Sequence, residues 1–187
     1  MEADADHALH RAHRPRALPD DRRGERNPYR VCGEGEGLLM ATIVVGVDGS
    51  AGSAEALRFA LVEARLRKAR VKAVTAWTLS YVAAPIGMMA PIDEALIPEL
   101  QENARAVAQA AVAEAIGSST DVEVEIEVRE GTAAQVLVDA AQGADLLVVG
   151  TRGHGGFAGL LLGSVSQQTA HHAPCPIVIV PHRKVKS

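Results

Sequence analysis

The sequence has few aromatic residues, few cysteines and no excess of basic charge. Aromatic residues make up 3% of the 187 residues, so aliphatic side chains must build the core. The formal net charge of -4 offers no strong positive field, which argues against nucleic acid as a partner. No apolar run approaches the roughly 20 residues of a membrane helix. The N-terminus has no apolar stretch typical of a secretory signal, so we expect a cytoplasmic protein without a membrane partner.

Residues 1–39 differ in composition from the rest of the chain. They mix charge, histidine, proline and glycine with hardly an aliphatic side chain, so they cannot bury enough apolar surface to offset the entropy of ordering. We expect a disordered tail, and therefore no structural disulfide between Cys32 and Cys175. Because Met40 opens the first strand abruptly, a second hypothesis is that Met40 is the true initiator. The predicted domain is 40–187.

From Met40 onward, apolar β-branched runs alternate with amphipathic segments. The predicted strands are 42–47, 71–77, 121–128, 145–149 and 176–180. The predicted helices begin after a cap at Ser50 or Ser53, at about Glu94, after a cap at Thr132, and at Ser164; the last three end near Ile116, Gln142 and His172. Such alternation predicts a doubly wound α/β fold with a parallel five-stranded sheet and helices on both faces.

The strand pattern also predicts where a ligand binds. Segment 121–128 alternates strictly between apolar and polar residues, which favours an edge strand and the order 3-2-1-4-5. In such sheets ligands bind at the carboxyl ends of the strands where the order reverses. Asp48, after the first strand, and Gly150, after the fourth, are then expected to face each other across that crevice.

The segment G-T-R-G-H-G-G-F-A-G-L-L-L-G-S at 150–164 supplies the loop on one side of the crevice. Gly150 removes a Cβ that would block a ligand, and Gly153 is expected to turn the chain with a positive φ. Gly163 and Ser164 begin a helix whose free N–H groups and dipole favour an anion. Arg152 either points at phosphate or is an ordinary surface residue. A glycine-rich turn without a ligand is the alternative.

Several common fingerprints are absent from the sequence. There is no G-x-x-x-x-G-K-[ST] loop, and no G-x-G-x-x-G follows the first strand, which excludes the Walker mechanism and the usual dinucleotide site. V-D-G-S is not a nucleophile elbow. His171 and His172 close a helix, where a cation suits the dipole, so a stabilising role is favoured over catalysis.

The glycine loop fits a family motif. Gly150, Gly153, Gly163 and Ser164 match the pattern G-x2-G-x9-G-[S/T], and the chain resembles the universal stress protein family. The segments I-V-V-G-V-D-G-S and S-V-S-Q-Q-T-A-H-H-A-P-C-P-I-V-I-V are similar to the two ends of that family's domain. The resemblance covers about 41–181. One departure is E-G-T-A-A-Q at 130–135, where many relatives have a proline before the helix.

The resemblance implies an ATP-binding domain with Mg²⁺ or Mn²⁺ accompanying the phosphates. It places Asp48 near the ribose or as the metal ligand, Ala76 against adenine, and the glycine loop around ribose and phosphates. The residues that it assigns to the ATP site are Val47, Asp48, Gly49, Ser50, Ala76, Gly150, Arg152, Gly153, His154, Gly163, Ser164, Val165 and Ser166.

The expected function is that of a nucleotide-dependent stress or regulatory factor. We expect at most slow ATP hydrolysis, because no general base is evident. An adenine-nucleotide hydrolase is one alternative, although V-D-G-S replaces the S-G-G-x-D-S that its chemistry needs. A dimeric scaffold for an unidentified protein partner, with structural ATP, is another. Family members commonly dimerise through the last strand, and the apolar edge at 177–180 favours a homodimer or a cover by the chain's own C-terminus.

Overall fold

A computed structural model of the chain describes residues 40–78, 94–117, 121–153 and 161–182. The tail predicted at 1–39, and His154 in the glycine loop, lie outside the described residues. Among the helices within these ranges, none has the length and apolar character needed to cross a membrane.

Five strands and four helices alternate along the described chain, as the sequence predicts. The elements in order are β1 (Thr42–Gly46), α1 (Ala51–Arg67), β2 (Arg70–Trp77), α2 (Ile97–Ile116), β3 (Val124–Glu130), α3 (Ala133–Ala140), β4 (Leu146–Gly150), α4 (Ser164–His172) and β5 (Ile177–Val180).

The strands form one parallel sheet in the order β3-β2-β1-β4-β5, which confirms the predicted topology. Strands β1 and β4 are direct neighbours in the register Ile43↔Leu146 to Val45↔Val148. From β1 the chain continues to β2 on one side, whereas from β4 it continues to β5 on the other side. The crevice at the carboxyl ends of β1 and β4 therefore lies where the strand order reverses.

Apolar side chains cover both faces of the sheet. One buried cluster joins Ile43 and Val45 of β1 to Leu57 and Leu61 of α1. The second joins Val44 and its neighbours to α3 through Leu137. Because β1 is buried on both faces, the turn that follows it starts from a rigid base.

Several boundaries differ from prediction. The third strand begins at Val124 instead of Asp121 and continues to Glu130, because it pairs with β2 as far as Trp77. Thr132 occupies the N-cap of α3 but makes no side-chain capping hydrogen bond. Helix α3 ends at Ala140, and the turn after it includes Gly143, whose φ is 74°. The first turn of the second predicted helix, Glu94–Leu96, is a 3-10 helix.

Candidate functional site

The turn between β1 and α1 is closed by its own side chains. Gly49 has a φ of 80°, a left-handed conformation that glycine adopts without steric cost. The backbone N–H of Ser50 donates to Asp48 Oδ1 at 2.9 Å. Ser50 Oγ in turn accepts from the backbone N–H of Ser53 at 3.2 Å, which makes Ser50 the N-cap of α1. The side chains that follow β1 therefore hold the turn and satisfy the start of α1.

The end of β1 is supported from the neighbouring strand. Val47 is 3% exposed, its N–H donates to Val74 O at 2.9 Å, and its carbonyl accepts from the Thr75 hydroxyl at 2.9 Å. Ala76 is half-buried near the end of β2, and Trp77 is 6% exposed. Val47 thus lies beneath the crevice as part of its base, and the Trp77 ring is buried.

The end of β4 packs closely on the start of α1. A Cβ on Gly150 would lie 2.7 Å from the carbonyl carbon and oxygen of Gly52. Real Cβ atoms do not approach backbone so closely, so glycine at 150 is required by helix packing, whereas the sequence suggested room for a ligand.

Gly153 serves a different purpose from the predicted one. Its φ is not in the left-handed region, so the prediction of a positive-φ turn is wrong. A Cβ at this position would instead overlap Asp48 Oδ2. Glycine is therefore needed because the loop after β4 passes directly against the carboxylate that follows β1. The two sides of the predicted crevice meet at this contact.

The start of α4 is arranged differently from that of α1. The N-cap residue, Gly163, makes no side-chain capping bond, and its own N–H donates to Thr151 O at 2.8 Å. The Ser166 hydroxyl is shared between the carbonyls of Thr151 and Gly163, each at 2.9 Å. These bonds bring both ends of the glycine loop together, while Ser164 is exposed. No side chain of the cap residue competes for the first N–H groups of α4.

The structure therefore brings most of the predicted site residues together and separates a few. Eight of the predicted residues lie together, at the carboxyl ends of β1 and β4 or at the start of α4. All eight are exposed or half-buried: Asp48, Gly49, Ser50, Gly150, Arg152, Gly153, Gly163 and Ser164. Ser166 is only 2% exposed, and Val165 is partly buried against the cluster around α3. The side chains of these two residues thus face the protein interior.

Sequence reasoning missed three residues that build this region: Gly52, Thr75 and Thr151. Gly52 left only a weak signal, because a glycine inside a helix is less favourable than alanine but does not show which contact requires it. Thr75 and Thr151 left no such signal in the sequence. Thr75 acts through its side chain on a neighbouring strand, and Thr151 acts through its backbone carbonyl.

The described residues hold no ready-made metal or nucleophile site. No group of three or more His, Cys, Asp or Glu side chains with metal-binding geometry occurs in the described ranges. Burial, and then the charge of Asp145, raises the pKa of the Cys175 thiol to about 11, so it stays protonated at neutral pH. One exposed carboxylate, Asp48, beside a glycine loop suits a cation such as Mg²⁺ that is held mainly by ligand phosphates.

Residues 40–181 match the model of the universal stress protein family. A universal stress protein of Mycolicibacterium smegmatis is 38% identical over 144 residues, covering 74% of this chain and 47% of its own length. A universal stress protein of Thermus aquaticus is 33% identical over 144 residues, covering 76% of this chain and 99% of its own.

A solved structure has a similar fold. The structure of the universal stress protein UspA from Lactobacillus plantarum has a TM-score of 0.57 and 24% identity, covering 75% of this chain and 97% of that one. This likeness concerns the fold. The chain spans about half the length of the mycobacterial relatives it matches. The matched residues include all five strands and the glycine loop, and the chain belongs to the universal stress protein family.

Proposed function

We propose that the domain binds ATP, with Mg²⁺ or Mn²⁺, in the crevice at the carboxyl ends of β1 and β4, and acts as a nucleotide-dependent regulatory factor. The observation that carries this proposal is the contact between Asp48 and Gly153. A carboxylate after one strand and a glycine loop after its neighbour meet at the reversal of strand order, where ligands of doubly wound folds bind.

The start of α4 supports the phosphate end of the proposed site. Its first-turn N–H groups have no carbonyl partner within the helix, and the cap residue, Gly163, offers no side chain to satisfy them. The partial positive charge of the helix N-terminus favours an anion there. The exposed hydroxyl of Ser164 adds a donor next to these groups.

Asp48 is the proposed metal ligand. Mg²⁺ is typically bound through one or two carboxylates together with substrate phosphates and water, so a single acidic residue suffices once a triphosphate is present. When bound, the metal would neutralise phosphate charge. Asp48 also accepts the Ser50 N–H, which orients its carboxylate.

The first experiment is to purify the full chain, denature it, and separate the released small molecules on a calibrated nucleotide column. ATP at close to one molecule per chain is the expected result. Isothermal titration of the emptied, refolded protein with ATP, AMP and cyclic AMP, each with and without Mg²⁺, then ranks the ligands. A protein that is purified empty and does not bind added Mg-ATP would overturn the proposal and leave a dimeric scaffold without a nucleotide in its place.

Slow hydrolysis has a distinct signature in the same experiment. Release of ADP or AMP in place of ATP, together with sustained phosphate release from added ATP, would favour the adenine-nucleotide hydrolase. Binding without turnover would favour the regulatory factor.

We also propose that β5 pairs with a second copy. The strand lies at the sheet edge, and the four side chains of Ile177–Val180 are only partly buried. An apolar edge with unpaired backbone groups invites another strand. Sedimentation equilibrium is expected to give a dimer for the chain and a monomer for Ile179→Lys. A monomeric wild-type chain would contradict this proposal without bearing on nucleotide binding.

A further inference from the structure

We propose that Gly52 is a positioning residue of the nucleotide site, an inference that rests on the proposed function. Gly52 lies in the first turn of α1, is buried, and is separate from the glycine loop in sequence. A Cβ built on Gly52 would overlap the backbone carbonyl oxygen of Arg152 and would lie 3.5 Å from its carbonyl carbon. The missing side chain therefore allows the loop after β4 to rest directly on α1.

The overlap cannot be relieved by rotating a side chain, because the atom in the way belongs to the backbone. The peptide unit of Arg152 is shared with Gly153, and Gly153 in turn lies against Asp48 Oδ2. A displaced carbonyl at 152 would consequently shift the backbone at 153 relative to the carboxylate. Gly52 thus sets the spacing between the two sides of the crevice through the backbone of the loop.

The substitution Gly52→Ala separates positioning from stability. Gly52 lies within α1 and does not have a left-handed φ, so alanine fits its backbone conformation. Alanine also leaves the unfolded chain less conformational freedom than glycine does, which stabilises α1 and opposes the cost of the overlap. Arg152 and Gly153 are exposed, so the loop has room to move outward while the fold is kept. An unfolded Gly52→Ala would overturn the inference, because Gly52 would then be a folding requirement.

Gly46→Ala is the matched control. A Cβ at Gly46 would also be crowded, at 2.9 Å from Leu137 Cδ1, but that atom is the end of a flexible side chain. The crowding is on the side of α3, away from the loop after β4. This variant is expected to lose stability and to keep the geometry of the glycine loop.

The test measures Mg-ATP and adenosine affinities of the full chain by titration, and records amide NMR spectra of the free proteins. For Gly52→Ala we expect at least about tenfold weaker binding of Mg-ATP, since sub-ångström misplacement of binding groups is costly. Adenosine affinity is expected to change less, because it lacks the phosphates that the loop holds. The amide resonances of Arg152 and Gly153 are expected to move in Gly52→Ala and to stay in Gly46→Ala.

The outcomes separate this inference from the proposed function. If wild type binds Mg-ATP and Gly52→Ala binds it equally well, the inference is wrong and the proposed function stands. An equal loss of ATP and adenosine affinity would likewise overturn it, because that pattern indicates a general structural defect. If wild type binds no nucleotide, the proposed function fails, and unmoved resonances at 152 and 153 would refute the geometric argument as well.

Discussion

Helices α1 and α4 begin at the same edge of the sheet, but their N-termini are completed in opposite ways. At α1, Ser50 caps the helix through its hydroxyl, and Asp48 accepts the Ser50 N–H. At α4, the cap residue is Gly163, which has no side chain, and the nearest buried hydroxyl, that of Ser166, faces the loop carbonyls. At α1 the side chain of the cap residue accepts an N–H of the first turn, whereas at α4 the cap residue has no side chain that could do so.

Under the proposed function, this difference gives the sheet edge one side that is fixed by the protein and one side that would bind the ligand. A capped helix fixes the turn after β1 and thereby fixes Asp48. A glycine cap costs α4 only a small amount of stability, because glycine is only slightly worse than a polar cap residue. In the proposed site, this terminus is the part that would bind the anion. The following variants test this division.

Gly163→Asp gives α4 a cap that carries negative charge and is expected to have the largest effect. The φ of -77° and ψ of 168° suit any residue, and the nearest atom to a new Cβ is Thr151 O at 3.4 Å. Mg-ATP affinity should fall about 100-fold, because like charges placed together cost several kcal/mol. Stability should stay level or rise by about 0.3 kcal/mol. Calorimetric titration and urea unfolding measure the two effects.

Gly163→Asn is the control for this variant, since it caps the helix without charge and should weaken binding less. Wild-type affinity in both variants would show that phosphate does not bind at α4.

Asp48→Asn tests the fixed side of the crevice. The amide oxygen still accepts the Ser50 N–H, so the turn should be kept, but the charge that would hold the metal is lost. We expect the gain in ATP affinity on adding Mg²⁺ to shrink by at least about tenfold, since even groups that only orient the metal ligands contribute that much. Titrations with Mg²⁺ and with EDTA measure this gain. An unchanged dependence on Mg²⁺ would remove Asp48 from the metal site.

Ser50→Ala removes the cap of α1. The free energy of unfolding should fall by about 1 kcal/mol, because the Ser53 N–H loses its acceptor. Urea unfolding gives the value, and nucleotide affinity should change little. The opposite pattern, with unchanged stability and weaker binding, would make Ser50 a ligand contact in place of a cap.

Ser164→Ala is expected to have the smallest effect. In contrast to Ser50→Ala, it should change nucleotide affinity more than stability. The side chain is exposed, so stability should change by less than about 0.5 kcal/mol. ATP affinity should drop about threefold through loss of one hydrogen bond. Ser166→Ala is the matched control, since its hydroxyl holds two carbonyls and its loss should lower stability. Identical behaviour of the two serine variants would contradict the assignment of their roles.

Much of the fold was readable from the sequence because its signals are local. Apolar β-branched runs such as 42–46 bury both faces of a strand, and the amphipathic stripe of α1 buries Leu57 and Leu61. Strand ends were less predictable, since β3 extends to Glu130 through pairing with β2. Pairing depends on a partner that is distant in sequence, so alternation alone placed the strand at 121–128 when it spans Val124–Glu130.

For the site, the sequence determined which chemical groups are available: a carboxylate after β1, a glycine loop after β4 and a helix start at Gly163. Only the tertiary structure decided what each glycine is for. Gly150 makes room for α1, Gly153 makes room for Asp48, and Gly52 makes room for the carbonyl of Arg152. The physical reason is that a glycine's local signal reports only freedom of φ, whereas the atom that excludes a Cβ comes from another segment and is brought near by folding.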